Sequence, residues 1–318
     1  MSRVPVLRHG RYVIEIRELT KRYGPAVAVD GLTFDVAPGR VTGFLGPNGA
    51  GKSTTMRMLL GLDHPSGGRA LLGGRPYREL REPLRIVGAL LEARSTHGGR
   101  TAYHHLLWLA ATNRIPRRRV DEVLGLVGLE SAAGKRAGTF SLGMSQRLGI
   151  AAALLGDPEI VLLDEPVNGL DPEGVRWIRT LMKDLAAEGR TVLVSSHLMS
   201  EMAITADHLI VIGQGRLLAD TTVDEFVAAS RRGHVRVSTP EADRLAALLD
   251  GRAVTVRRVD GALEITGMEA GAVGAVAGAN GIALDELSTR SSSLEDAFLE
   301  LTAGSTEYSS RPQAEEVR

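Results

Sequence analysis

The run Gly46-Pro47-Asn48-Gly49-Ala50-Gly51-Lys52-Ser53-Thr54 has the spacing G-x-x-x-x-G-K-[ST] of a phosphate-binding loop. Its glycines let the backbone curl until successive N–H groups point into one concavity, and a helix starting at its end aims its positive dipole end at the same spot. The chemistry is recognition of a polyphosphate. Lys52 can reach the β- and γ-phosphates of a nucleotide, and the Ser53 hydroxyl can complete the octahedral shell of a Mg²⁺ ion. The plainer reading is a glycine-rich turn that caps a helix. Against it, the apolar run Val41–Leu45 before the loop and the run Thr55–Leu60 after it supply the strand and helix that the motif requires.

Further along lie more reactive side chains. Phe140-Ser141-Leu142-Gly143-Met144-Ser145-Gln146-Arg147 opens a long apolar helix, Glu159-Ile160-Val161-Leu162-Leu163 runs into Asp164-Glu165-Pro166, and Thr191–Ser195 runs into Ser196-His197. An unbroken apolar run is a parallel strand buried on both faces, so Asp164 and Glu165 emerge at a carboxyl end, where open α/β sheets bind ligands. His197 is delivered to the same edge. Singly, each piece has an ordinary explanation: a loop entry, a structural histidine, a serine cap. Order and spacing change the odds. Ser141 precedes Asp164 by 23 residues, which leaves one helix between them, and the acidic pair follows the phosphate loop as the second acidic strand of NTPases does.

The elements that must position these residues are legible. Tyr12–Arg17 and Ala26–Val36 alternate as strands around a turn at Tyr23-Gly24-Pro25, and Arg69–Leu72 and Ile86–Leu91 are short strands, the second ending in Glu92. From Thr101 the apolar spacing turns helical and continues through Val120–Leu129, so a helical insertion over about 100–155 separates two β-containing halves. Trp108, His104 and His105 in it are assigned to packing or to a solvated helix face. Asp171-Pro172 is an N-cap with proline at the first helical position, opening a helix over Glu173–Ala187. Leu209–Ile212 and Arg216–Leu218 form a terminal hairpin.

Composition shifts after Thr222. The spacing predicts strands at His234–Ser238, Val254–Val259, Ala262–Thr266 and Ile282–Leu287, and helices at Glu241–Asp250, Met268–Ala279 and Leu294–Leu301. That order, βαββαβ, is that of a ferredoxin-like unit. The expected division is therefore 1–222 for an α/β nucleotide-binding domain, 223–304 for a small α+β domain without a catalytic constellation, and 305–318 for a polar, disordered tail.

Bulk properties narrow the function. Lys plus Arg and Asp plus Glu both number 38, so no net field draws the chain to nucleic acid. There is no cysteine, which removes disulfides and thiolate metal sites. Met1–Arg17 is charged throughout and lacks the apolar core of a signal peptide, and no stretch of about 18 uncharged apolar residues spans a bilayer.

Over roughly its first two thirds the chain resembles the ATP-binding cassette of ABC transporters, on the match of Gly46–Thr54, Phe140–Arg147, Ile160–Pro166, Asn168–Asp171 and His197 in order. The resemblance implies a P-loop fold with a helical signature subdomain, and ATP and Mg²⁺ as ligands. It implies that Tyr23 stacks on adenine, that Lys52 and the loop amides hold phosphates, and that Ser53 and Asp164 position the metal. Glu165 polarises the attacking water, His197 contacts the γ-phosphate, Ser141 and Gly143 approach the γ-phosphate of a partner subunit, and Asp171 lies at the junction between paired cassettes. Two positions depart from the family pattern. The usual Leu-Ser-Gly-Gly-Gln signature reads Phe140-Ser141-Leu142-Gly143-Met144, and the glutamine expected to ligate the metal after the fifth strand is Glu92. Both, with the ending Ser293–Leu299, resemble the bacterial drug- and antibiotic-resistance exporters. The implied protein is an ATPase subunit at the cytoplasmic face of the membrane, pairing with a second copy of itself and a separate permease. A soluble ABC ATPase acting on ribosomes or DNA is the alternative; such chains usually carry two cassettes, a long coiled coil or zinc cysteines. A non-hydrolysing sensor is opposed by Glu165 and His197 together.

Overall fold

The computed structural model describes residues 14–92, 96–229, 234–250, 254–290 and 294–302. Expectations for Tyr12, Val13 and the 305–318 tail lie outside them. Strand β1 (Ile14–Tyr23) turns at Gly24-Pro25 into β2 (Ala26–Val36), and the two pair antiparallel. β1 runs six residues beyond the expected Arg17 because a bulge interrupts its alternation: Glu18 takes a left-handed φ of 48° and the register shifts between Ile16 and Leu19. The extra residue keeps Leu19 on the same buried face as Ile14 and Ile16.

Strand β3 (Val41–Leu45), helix α1 (Lys52–Leu59), strand β4 (Gly67–Leu72), a short helix α2 (Pro83–Ile86) and strand β5 (Val87–Leu90) follow. The helical insertion comprises α3 (Ala102–Thr112), α4 (Arg118–Leu126) and α5 (Leu142–Leu154). Then come β6 (Ile160–Asp164), α6 (Pro172–Ala187), β7 (Thr191–Ser195), α7 (Met199–Thr205), β8 (His208–Gly213) and β9 (Arg216–Thr222). β4 joins β1 and β2 in a three-stranded antiparallel sheet. The main sheet has the order β5-β6-β7-β3-β8-β9, parallel except for β9. Every residue of β3, β7 and β8 is buried, which is why these strands read as continuous apolar runs. The closing hairpin turns through Gln214 and Gly215, both at positive φ.

A core joins the two sheets: Ile14, Ile16, Phe34 and Val36 pack with Phe44, Met56, Leu162, Leu193 and Ile210. Phe34 and Phe44 meet with ring centroids 5.6 Å apart. In the insertion, Arg100 lies over exposed Trp108 at 4.6 Å, and His104 meets the α3 cap Thr101 at 2.8 Å. His105 is buried.

The residues up to Val223 form one compact unit and Asp224–Leu301 a second. Helix α8 (Val223–Ala229) starts on the last residue before that boundary, and the second unit continues as β10 (His234–Ser238), α9 (Ala242–Leu249), β11 (Thr255–Val259), β12 (Ala262–Thr266), α10 (Ala270–Ala279), β13 (Glu286–Arg290) and all but the last residue of α11 (Leu294–Thr302). Its antiparallel sheet has the order β11-β12-β10-β13, over a core of Val235, Val237, Leu245, Leu249, Leu263, Ile265 and Val273. The last strand starts four residues later than the expected Ile282. α10 ends in a Schellman motif: Gly281 has φ 67°, its N–H donates to Gly278 and that of Ile282 to Ala277. Ile282 is buried against this helix exit rather than in a strand, so its alternation with Leu284 imitates a strand that begins only at Glu286.

Candidate active site

The phosphate loop leaves the carboxyl end of β3 at Gly46 and enters α1 at Lys52. Gly51 has φ 102°, and a Cβ there would lie 2.5 Å from the Ala28 carbonyl oxygen, so only glycine closes this turn. No side chain caps α1, which leaves its first-turn N–H groups to face an anion. Lys52 is buried; its Nζ donates to the Gly46 carbonyl at 2.5 Å and the Pro47 carbonyl at 3.2 Å. Burial lowers its pKa from the ordinary lysine value, opposed by the charges of Glu165 and Asp164.

Since β3 is flanked by β7, and β7 by β6, the acids and His197 reach the same edge. Ser53 Oγ donates to Asp164 Oδ2 at 2.8 Å. Ser195, fully buried at the end of β7, donates its hydroxyl to Asp164 Oδ1 and accepts the Glu165 N–H at 3.1 Å, while its carbonyl accepts the same N–H at 3.2 Å. The Glu165 carbonyl accepts from Gln146 Nε2 at 3.1 Å and from the Asn168 N–H at 3.2 Å. These bonds hold Glu165 at φ 50°, a conformation that costs a non-glycine residue about 1–3 kcal/mol. Its carboxylate Oε2 lies 2.7 Å from His197 Nδ1 and accepts the His197 N–H at 3.4 Å. An ionised carboxylate only accepts, so Nδ1 carries the proton of that contact.

A cavity of about 300 Å³ is lined by Ala28, Asn48–Thr54, Leu91, Asp164 and Glu165. Of the expected site residues, Asn48–Thr54 and both acids therefore line one concavity, while Gly46 and Pro47 meet it through their carbonyl contacts with Lys52. Glu92 follows Leu91 and is exposed. Tyr23 is half exposed; its hydroxyl donates to Asp63 Oδ2 at 3.1 Å, and Lys21 Nζ stands 4.8 Å from its ring centroid. Arg57 donates to the same carboxylate at 2.8 Å and holds Asp63 below the usual carboxylate range. Ser141 and Asp171 are both N-caps, accepting from Met144 N–H at 3.2 Å and Gly174 N–H at 2.8 Å. Gly143 packs on the backbone next to Asp171: a Cβ there would meet the Gly169 carbonyl oxygen at 2.9 Å.

Among the described residues no three His, Asp or Glu side chains gather to hold a metal by themselves. Ser53 Oγ and Asp164 are a partial set of hard oxygen donors beside an anion cradle. That fits Mg²⁺, which takes a few protein oxygens and completes its octahedron with water and phosphate. Two residues that hold the site, Ser195 and Gln146, carry no role in the sequence reading. The available signal was a polar group where a buried strand or helix face admits none without a partner.

The model of the ABC transporter family matches residues 29–168. Along almost the whole chain, the bacitracin transport ATP-binding protein BcrA of Bacillus licheniformis is 37% identical over 303 residues, 92% of this chain and 98% of that protein. The chain belongs to the ABC transporter family. The lantibiotic transport ATP-binding protein SrtF of Streptococcus pyogenes is 34% identical over 67% of this ABC ATPase and 92% of its own length. Among solved structures, the ATP-binding cassette MJ0796, described as a dimer in a post-hydrolysis state bound to ADP and Pi, is 25% identical, with a TM-score of 0.60 over 66% of this chain and 98% of that one. Residues 233–295 match a domain of unknown function, DUF8746. This family member binds ATP with Mg²⁺ and hydrolyses it.

Proposed function

We propose that the chain powers export of an antibiotic or drug-like molecule through a separate permease, as one of two paired cassettes at the cytoplasmic face of the membrane. The observation that carries export is the match to a bacitracin transport ATP-binding protein over 98% of that protein's length. The separate permease is part of the same reading; among the described residues no helix is long and apolar enough to cross a membrane. Pairing rests on the dimeric cassettes of similar fold.

In this reading the loop amides and Lys52 bind the phosphates, and Ser53, Asp164 and Glu92 face the metal. Mg²⁺ held there would supply positive charge against the phosphate oxygens. Glu165 orients the attacking water and accepts its proton, and His197, turned by its Nδ1 contact with Glu165, presents Nε2 towards the terminal phosphate. Tyr23, held through Asp63, offers its ring to the base. Ser141 and Gly143 address the partner's nucleotide, and Asp171 lies at the junction. The unit from 223 onward is an accessory domain that ATP binding does not require.

Affinity capture of the tagged chain from native membranes, with identification of what co-purifies, tests this. Recovery of one multispanning protein is expected; recovery of ribosomes or DNA with no membrane partner would overturn export.

A further inference from the structure

Glu165 is held at its backbone from two sides. Ser195 takes its N–H, and on the carbonyl side the side-chain donor is Gln146, 3% exposed, whose Nε2 lies 3.1 Å from the Glu165 oxygen. Gln146 is on α5, five residues after the cap Ser141. A carboxamide this buried has few alternative partners, and a left-handed backbone at Glu165 persists only where its surroundings fix it.

We propose that Gln146 is a positioning residue for hydrolysis. It fixes the backbone of Glu165 in its own subunit, so the helix whose first turn addresses the partner's nucleotide also sets the carboxylate that acts on its own. The inference rests on the reading above that Ser141 acts across the dimer. α5 would then touch both composite sites, one through Ser141 and one through Gln146.

Gln146→Leu keeps the volume and removes the donor. In the full chain it should lower kcat about tenfold with KM for ATP within about twofold, the loss expected for one hydrogen bond felt in the transition state. Hydrolysis at the parent rate would overturn the proposal. If leucine unfolds the chain, Gln146→Glu replaces it: only a protonated glutamate donates, so its activity relative to the parent should rise as pH falls, and a flat ratio would count against the role.

Mixed dimers separate this from simple support of the signature. When a Gln146→Leu chain pairs with a Lys52→Ala chain, the competent phosphate loop belongs to the leucine-bearing subunit, and turnover should fall relative to a parent and Lys52→Ala dimer. With both substitutions in one chain paired with the parent, turnover should equal that reference. The opposite ranking would show that Gln146 serves the partner's site. Failure of the cross-dimer reading itself appears separately: Ser141→Arg and Lys52→Ala mixtures would recover no activity while Gln146→Leu homodimers stayed slow.

Discussion

The imidazole Nδ1 of His197 stands 2.7 Å from Oε2 of Glu165, joining the segments that leave the carboxyl ends of β6 and β7. The carboxylate is thereby oriented by the neighbouring strand as well as by its own backbone. Substituting glutamine keeps the shape and removes the charge that accepts a proton. Glu165→Gln should bind Mg-ATP like the parent and hydrolyse it ~10²-fold more slowly or worse. In size-exclusion chromatography it should run as a dimer with Mg-ATP and not with Mg-ADP. Parent-like turnover would shift the role to Glu92.

Lys52→Ala should abolish nucleotide-dependent activity, because a methyl group cannot offset phosphate charge. ATPase turnover within a few-fold of the parent would contradict the assignment.

The lowered pKa of Lys52 also has a pH signature. Burial is its main cause, and phosphate oxygens beside the ammonium push the value back up, so ATP binding takes up a proton in the window between the two values. Affinity falls as pH rises through it. In the nucleotide-free protein the unfolded chain holds more protons in the window between the lowered value and the ordinary one, so stability rises with pH there. Calorimetric titration of ATP in buffers of different ionisation enthalpy should show uptake growing on the alkaline side. An uptake indifferent to pH would assign the proton to another group.

Asp171 caps α6 through Gly174 N–H. Asp171→Ala should cost about 1 kcal/mol, a fall in Tm of roughly 2–4 °C for a unit of this size, whereas Asp171→Asn keeps the cap and should cost little. An asparagine variant that stays stable yet loses activity would separate a junction role from the cap. Equal loss of Tm in both variants would refute the cap as the source of stability.

Ser141→Arg should leave ATP binding by the isolated subunit intact and block hydrolysis. Mixed with Lys52→Ala it should regain activity, since one composite site then has both defects and the other has neither. Mixtures that form dimers and stay inactive would count against assembly across the interface.

The placement of residues marked by local spacing was legible in advance. Gly46–Thr54 announces itself because the loop needs glycine at fixed positions, and Asp164-Glu165 because an acid is conspicuous after an apolar strand. Ser195 and Gln146 were not, since their role exists only where strands and a helix distant in sequence meet. The late start of β13 was hidden for a related reason: Ile282 and Leu284 have strand spacing, and only the hydrogen bonds at the end of α10 reveal the segment as a helix exit. The bulge at Glu18 broke an alternation that would otherwise have shown the full length of β1.

The sheet order has a consequence for how the chain is made. β3, which launches the phosphate loop, ends at Leu45 and pairs with β7 and β8, which begin at Thr191 and His208. A ribosome releases the loop well over a hundred residues before either neighbour exists. Until then the buried strand Val41–Leu45, apolar but for Thr42, has no ladder to join, and closing contacts this distant in sequence is slow because the chain entropy is lost before the pairing is gained. Nucleotide therefore cannot template the loop early. It can trap only a sheet already zipped through β7, which makes ATP a late stabiliser of the nascent protein.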